Sequence, residues 1–220
     1  MPDSGPDRGS GVTIFAEPLP RGLFVTIDGP NGSGKTSLVA AVAAQLEAAG
    51  DAVHRTKQPS PTPLGDAVRA AERDVRGRAL ACLVAGDRQH QADTEIIPML
   101  MNGATVLCDR YVESSLVLQR LDGVDIDYIL AINAGIPRPA LRIRLLAQPK
   151  VLAERLARRP TTPGRRFERT AGPERELQLY AEADELLTER EALPATVFDT
   201  TLTEAHGLGV VAAKMILSMR

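Results

Sequence analysis

The stretch "LFVTIDGPNGSGKTSLVAAVAAQLEAAG", residues 23–50, decides the fold. Within it, Gly29-Pro30-Asn31-Gly32-Ser33-Gly34-Lys35-Thr36 meets the spacing G-x-x-x-x-G-K-[ST] without a mismatch. An apolar strand runs into this loop. A helical pattern leaves it, with Leu38, Val42 and Leu46 on one face and Gly50 at its end. The residue types answer to one chemistry. Glycines let backbone N–H groups converge on phosphate oxygens without a Cβ in the way, and the start of the helix adds a positive partial charge. Lys35 brings a point charge to the terminal phosphates of a donor, and Thr36 offers a hydroxyl oxygen to magnesium. Gly29, Asn31, Gly32, Ser33, Gly34, Lys35, Thr36 and Ser37 are therefore the candidate nucleotide-binding residues. The expected cofactors are ATP and Mg2+. The N-K-x-D signature by which a switch protein reads guanine is absent, and the chain is short for a motor, so a small phosphotransferase fits best.

Around this stretch, short β-branched runs alternate with longer helical patterns. Strands are predicted at Leu23–Ile27, Ala52–Thr56, Ala104–Cys108, Leu141–Leu146 and Ala195–Phe198. Helices are predicted at Lys35–Ala49, Leu64–Ala81 with a possible interruption, Ala85–Asn102, Tyr111–Leu118, Asp125–Asn133, Lys150–Arg158, Pro173–Glu191 and Thr203–Met219. Such alternation implies right-handed crossovers and a parallel sheet covered on both faces, and the strands read as apolar throughout. One α/β domain over residues 21–220 follows, preceded by a flexible tail over residues 1–20 whose Gly, Pro and Asp content is highest up to about Ser10. Residues 158–170, "RRPTTPGRRFERT", break the helical pattern and crowd Arg158, Arg159, Arg165, Arg166 and Arg169 together. They read either as a solvated charged loop or as a mobile lid that closes over phosphates.

The totals exclude several classes. The 26 basic and 28 acidic side chains nearly cancel, leaving no global field to attract a nucleic acid polymer or an anionic membrane. No apolar run approaches the roughly 18 residues of a membrane span. The opening residues have neither the basic start nor the apolar middle of a signal peptide, so a cytoplasmic location is expected. Cys82 and Cys108 stand among apolar neighbours without metal-type spacing and are expected reduced and buried.

A second informative stretch is "VLCDRYVESSLVLQ", residues 106–119. Asp109 falls at the C-terminal end of a parallel strand, where such sheets bind ligands, and is placed to position magnesium or its water. Arg110 beside it can fork onto an acceptor phosphate. A purely structural Asp–Arg pair at a helix start is the alternative.

"FVTIDGPNGSGKTSL", "PTPLGDAVR", "AGDRQHQADTEIIPML", "VLCDRYVESSLVLQ" and "GRRFER" resemble the thymidylate kinase family in order and spacing, from about Leu23 to Arg169, with a weaker echo at "VFDTT". The resemblance implies a P-loop NTPase fold with a five-stranded parallel sheet, helices on both faces and an Arg-rich lid. It further implies a nucleoside monophosphate kinase acting on dTMP or a related acceptor with ATP and magnesium, and a homodimer in which Ala85–Asn102 is a plausible contact. By the same resemblance, Lys35 and Thr36 hold the donor phosphates and metal, with Asp109 also at the metal. Arg110 binds the acceptor phosphate, Arg88 reaches the base edge, and Ser115 and Gln119 line the base pocket. Arg165 or Arg166 supplies the lid's catalytic charge.

Departures from the family fall on the acceptor side. Asn31 stands where an acidic residue is usual, and Lys57-Gln58-Pro59-Ser60 where R-E-P-G is usual, so Pro59 alone of that segment is retained. Val84 replaces a base-stacking phenylalanine, and Leu118 a tyrosine under the sugar. Losing a stacking aromatic removes about 1–3 kcal/mol, and Tyr111 is the nearest aromatic in sequence. These changes leave dTMP, a modified or ribose-containing pyrimidine nucleotide, or a non-catalytic ATP-binding switch as the readings. His90, two positions beyond Arg88, is expected to point elsewhere in a structural or surface role.

Overall fold

The computed structural model describes residues 13–17, 21–158, 172–203 and 205–220. Five parallel strands form one sheet: β1 (Leu23–Asp28), β2 (Val53–Lys57), β3 (Thr105–Asp109), β4 (Leu141–Leu146) and β5 (Ala195–Asp199), in the spatial order β2-β3-β1-β4-β5. The helices between them are α1 (Lys35–Ala48), α2 (Pro63–Ala71), α3 (Gly77–Gln91), α4 (Ile97–Met101), α5 (Val112–Leu121), α6 (Ile126–Ile132), α7 (Pro149–Ala157), α8 (Pro173–Glu191) and α9 (Ala205–Leu217). The predicted strands are all present within one or two residues. The predicted helix over 64–81 is two helices, split at residues 72–76. The one over 85–102 is the end of α3, a π-helical turn at Ala92–Ile96, and α4.

Side chains alternate across the sheet and so build two cores. On one face Val25, Ile27, Leu107, Ile143 and Leu145 pack against Leu38, Val42 and Leu46 of α1 and against Ala212 and Ile216 of α9. On the other, Phe24, Val106 and Cys108 pack against Leu116 of α5 and Leu179, Tyr180 and Leu187 of α8. Tyr111 crosses Phe24 edge-on at 5.0 Å and donates its hydroxyl to Pro137 O at 3.0 Å, so it belongs to this core and not to an open pocket.

Two expectations about strands and tail are corrected. The strands are not apolar throughout: β2 reads Val-His-Arg-Thr-Lys and β4 reads Leu-Arg-Ile-Arg-Leu-Leu. β2 is an edge strand and can leave side chains half in water. β4 is interior, and its Arg142 is 2% exposed. Its charge is met from two directions, by Glu113 of α5 at 2.6 Å and Asp184 of α8 at 3.0 Å, while Arg144 approaches the other oxygen of Asp184 at 3.4 Å. Burial pushes the Glu113 carboxyl up to about 7 against the pull of Arg142. Within the expected tail, residues 13–17 are part of the fold. Ile14 and Phe15 are buried in the second core, Phe15 bridges to Ile136, and Ile14 N donates to Glu191 Oε1 at 2.8 Å. Two adjacent apolar side chains outweigh the polar composition around them. Cys108 is buried as expected, but Cys82 is exposed, its thiol 3.0 Å from the Tyr128 hydroxyl.

Removing one member of a buried ion pair leaves the other uncompensated. Arg142→Ala, which leaves the buried Glu113 without a cation and Asp184 with Arg144 alone, is expected to cost about 3–5 kcal/mol of stability, read as a shift in the denaturant midpoint with an unchanged slope. A loss under about 1 kcal/mol, the range of exposed pairs, would show that water reaches the cluster.

Candidate active site

Three turns converge at the C-terminal ends of β1, β3 and β5, and each is built by a local rule. After β1 the chain turns through Gly29 at φ 141°, where a Cβ would lie 2.5 Å from Leu145 O, so no other residue fits without moving β4. Gly34 at φ 93° is the N-cap of α1, and Lys35 and Thr36 follow as its first residues. Lys35 Nζ donates to Gly29 O and Pro30 O, both at 2.9 Å, folding the side chain back along the loop. Burial, reinforced by the nearby Arg110 guanidinium, lowers its pKa to about 7.

After β3 the chain turns through Arg110 at φ 74°, a left-handed conformation that costs a non-glycine residue about 1–3 kcal/mol and needs outside support. Arg110 N donates to Ile27 O at 3.0 Å. Asp28, the last residue of β1, accepts at Oδ1 from Tyr111 N (3.2 Å), Ser114 N (3.1 Å) and Ser114 Oγ (2.6 Å). One strand's terminal carboxylate thus caps the helix that follows the neighbouring strand. The Arg110 guanidinium reaches Ser114 Oγ at 3.0 Å, Tyr180 OH at 3.2 Å and Asn31 Oδ1 at 2.7 Å. Those contacts leave Nε and one N–H of Nη2 without a described protein partner, enough to fork onto an oxyanion. Burial pulls its pKa down, but Tyr180, Asp109, Asp28 and Glu176 outweigh that and raise it, so it is always charged. Asp109 Oδ2 accepts from Thr36 Oγ1 at 2.6 Å, which joins the two turns.

The remaining predicted residues divide by neighbourhood. Val84 and Arg88 lie four apart on one face of α3, and Ser115 and Gln119 four apart on α5. Arg88 is 2% exposed and closely engaged: Nε on Gln58 Oε1 (2.7 Å), Nη1 on Asn133 Oδ1, and Nη2 on Ser115 Oγ (2.8 Å) and Tyr111 O (3.4 Å). Gln58 is tied onward to Gln91, and Gln91 to Thr56 and Glu95. Gln119 is buried, and its Oε1 has no hydrogen-bond partner among the described residues. Pro59 is half-buried, with its carbonyl accepting from Arg69 Nη1 at 2.7 Å. His90 is exposed at the end of α3. Arg165 and Arg166, with most of the expected lid, lie outside the described residues.

A cavity of about 430 Å³ opens on the far side of the loop, lined by Gly32, Ser33, Gly34 and Ser37, by Arg155 of α7, and by residues 200–203 after β5. Arg155 donates to Thr200 O at 2.7 Å and to Thr200 Oγ1 at 3.2 Å, while Thr200 Oγ1 donates on to Ser33 O at 3.0 Å. This wall suits the nucleoside half of the donor, because it begins where the phosphate loop ends. Arg155, Thr200, Asp28, Glu176 and Tyr180 escaped the sequence reading. Asp28 obeys the rule that singled out Asp109, a carboxylate ending a parallel strand, and was legible on that ground. Thr200 lies in the "VFDTT" echo. Arg155, Glu176 and Tyr180 sit in ordinary charged helical patterns that carry no signal.

As magnesium ligands, Thr36 and Asp109 are a hydroxyl and a carboxylate, both oxygen donors. Their separation is slightly under the roughly 2.9 Å between adjacent oxygens around this ion. A small opening would admit it, with phosphate and water oxygens completing the shell. The residues fit.

The family described as "Thymidylate kinase" matches residues 27–193. A thymidylate kinase of Xanthomonas euvesicatoria pv. vesicatoria is 34% identical over 196 residues, covering 88% of this chain and 85% of its own. One of Deinococcus radiodurans is 38% identical over 151 residues, 64% of this chain and 72% of its own. A probable thymidylate kinase of Pyrobaculum calidifontis is 39% identical over 142 residues, 62% and 70% respectively.

The low pKa of Lys35 has a readable consequence. At about pH 8 the free protein holds Lys35 mostly neutral, whereas a bound triphosphate requires the ammonium, so binding takes up a proton. Calorimetry of ATP binding in buffers of different ionisation enthalpy should show uptake approaching one proton, and Lys35→Ala should abolish it. Equal uptake in that variant would place the titrating group elsewhere. With the phosphate loop, the Asp109–Arg110 turn and the matches over most of the sequence in agreement, this chain belongs to the thymidylate kinase family.

Proposed function

We propose that this nucleoside monophosphate kinase transfers the γ-phosphoryl group of ATP to the phosphate of dTMP, with the donor in the cavity beside α7 and the acceptor on the side of α3 and α5. The observation that carries the reading is Arg110. It is a half-buried, permanently charged guanidinium with two N–H directions left over among the described residues, held 2.7 Å from the tip of the phosphate loop. Donor and acceptor phosphates brought to these two groups would meet between Lys35 and Arg110. In-line attack by an acceptor phosphate oxygen needs no strong general base, because that oxygen is already ionised at neutral pH. Catalysis then rests on positioning and on positive charge around the phosphoryl group in flight.

Lys35 would hold the donor phosphates, and Thr36 with Asp109 would hold a magnesium ion, which when bound would offset the charge of those phosphates. Arg165 and Arg166 are retained as the lid's candidates for the charge that completes the site. Gln119, buried with an amide oxygen unpartnered among the described residues, is suited to meet a donor N–H of the base. Arg88, held by Gln58, Asn133 and Ser115, would act on the base chiefly by fixing that wall. The family resemblance supports a homodimer and a cytoplasmic location. Among the described residues no helix is long and apolar enough to cross a membrane.

Arg110→Ala is expected to lower kcat/KM for dTMP about 100-fold, with the KM for ATP within a few-fold of the parent. An unchanged kcat/KM for the acceptor would remove Arg110 from the phosphate site.

A further inference from the structure

Asn31 lies between two charges of opposite sign. Its Nδ2 donates to Glu176 Oε1 at 2.8 Å, its backbone N donates to Glu176 Oε2 at 2.8 Å, and its Oδ1 accepts from Arg110 Nη2 at 2.7 Å. A carboxylate with both oxygens taken only accepts and a guanidinium only donates, so an amide between them has one orientation available. Glu176 is 3% exposed although it sits in the first turn of α8, where an acidic side chain ordinarily turns to water. One helical turn on, Tyr180 presents its hydroxyl to Arg110 Nη1 at 3.2 Å. α8 therefore grips Arg110 at both terminal nitrogens, directly through Tyr180 and through Asn31 by way of Glu176.

We propose that Glu176 is a positioning residue for the acceptor site. Its carboxylate fixes the tip of the phosphate loop and turns the Asn31 amide so that Oδ1 holds the Arg110 guanidinium in register with the loop. This rests on the reading of Arg110 as the acceptor-phosphate ligand. The arrangement requires an amide at 31 opposite a carboxylate at 176. A carboxylate at both positions sets like charges against each other, and an amide at both can point an N–H at an N–H. Exchanging the two types restores every bond: an aspartate at 31 accepts from a glutamine amide at 176, whose oxygen accepts the backbone N–H of residue 31, and Arg110 keeps an oxygen.

The test is the cycle Glu176→Gln, Asn31→Asp and N31D/E176Q, with dTMP affinity measured by calorimetry in the absence of ATP, steady-state kcat and KM, and melting temperature. Each single variant is expected to weaken dTMP binding about 10-fold, mainly in KM for dTMP, and the exchange to recover it to within about 3-fold of the parent. A double variant no better than the worse single one, or Glu176→Gln binding dTMP like the parent, overturns the proposal. If Asn31→Asp fails to fold, the exchange compared with Glu176→Gln decides in the same terms. Arg110→Ala measured alongside separates the two claims. Parent-like dTMP affinity there removes the phosphate role of Arg110 and this proposal with it. Weakened affinity there, with Glu176→Gln unaffected, removes this proposal alone.

Discussion

The parallel pairing of β1 with β3 is the constraint on which the site depends. Its register sets Ile27 opposite Asp109, and the ladder continues one bond further, from Arg110 N to Ile27 O at 3.0 Å. That last bond falls where the backbone has already turned left-handed, so the strand pair itself holds Arg110 in its costly conformation. With the two strand ends level, the phosphate loop and the Asp109–Arg110 turn lie side by side. Thr36 then meets Asp109 across a single hydrogen bond, and Asp28 reaches the N–H groups that open α5. Slipping either strand by one residue would turn its carboxylate, Asp28 or Asp109, to the wrong face.

The second core is organised around charge more than its apolar members suggest. Thr26 and Asp28 of β1 stand opposite Arg142 and Arg144 of β4, on the sheet face that α5 and α8 cover. α8 supplies Asp184 to those arginines, Tyr180 to Arg110 and Glu176 to Asn31, so one helix spans from the interior of the sheet to the tip of the phosphate loop. Buried ion pairs of this kind give little net stability, but they fix geometry, because each polar group left unmatched is costly. A site that works by aligning two phosphates gains from such rigidity more than from extra apolar burial.

Much of this was legible in the sequence. The loop glycines, Lys35 and Thr36 sit in a spacing whose backbone consequences are nearly unique, and Asp109 and Arg110 follow from their place at a strand end. Strand positions could be read from β-branched runs, though the apolar reading of β4 failed because Arg142 and Arg144 are matched by residues 29 to 42 positions away. Glu176 and Tyr180 were invisible for the same reason. Their spacing is that of any amphipathic helix, and only the tertiary fold says which face meets Arg110. Tyr111 shows the converse: adjacency to the site in sequence suggested a pocket aromatic, but the turn at Arg110 directs its ring onto Phe24.

The proposed transfer site lies between these two turns, and by the family resemblance its base wall includes Gln119 and has Val84 where a stacking aromatic is usual. It is tested most directly by measuring phosphoryl transfer from Mg·ATP by the unmodified protein across ribo- and deoxynucleoside monophosphates of every common base. Turnover with dTMP is expected at a kcat/KM well above that for purine monophosphates and for ribonucleotides. Tight ATP binding with no turnover of any monophosphate would contradict it.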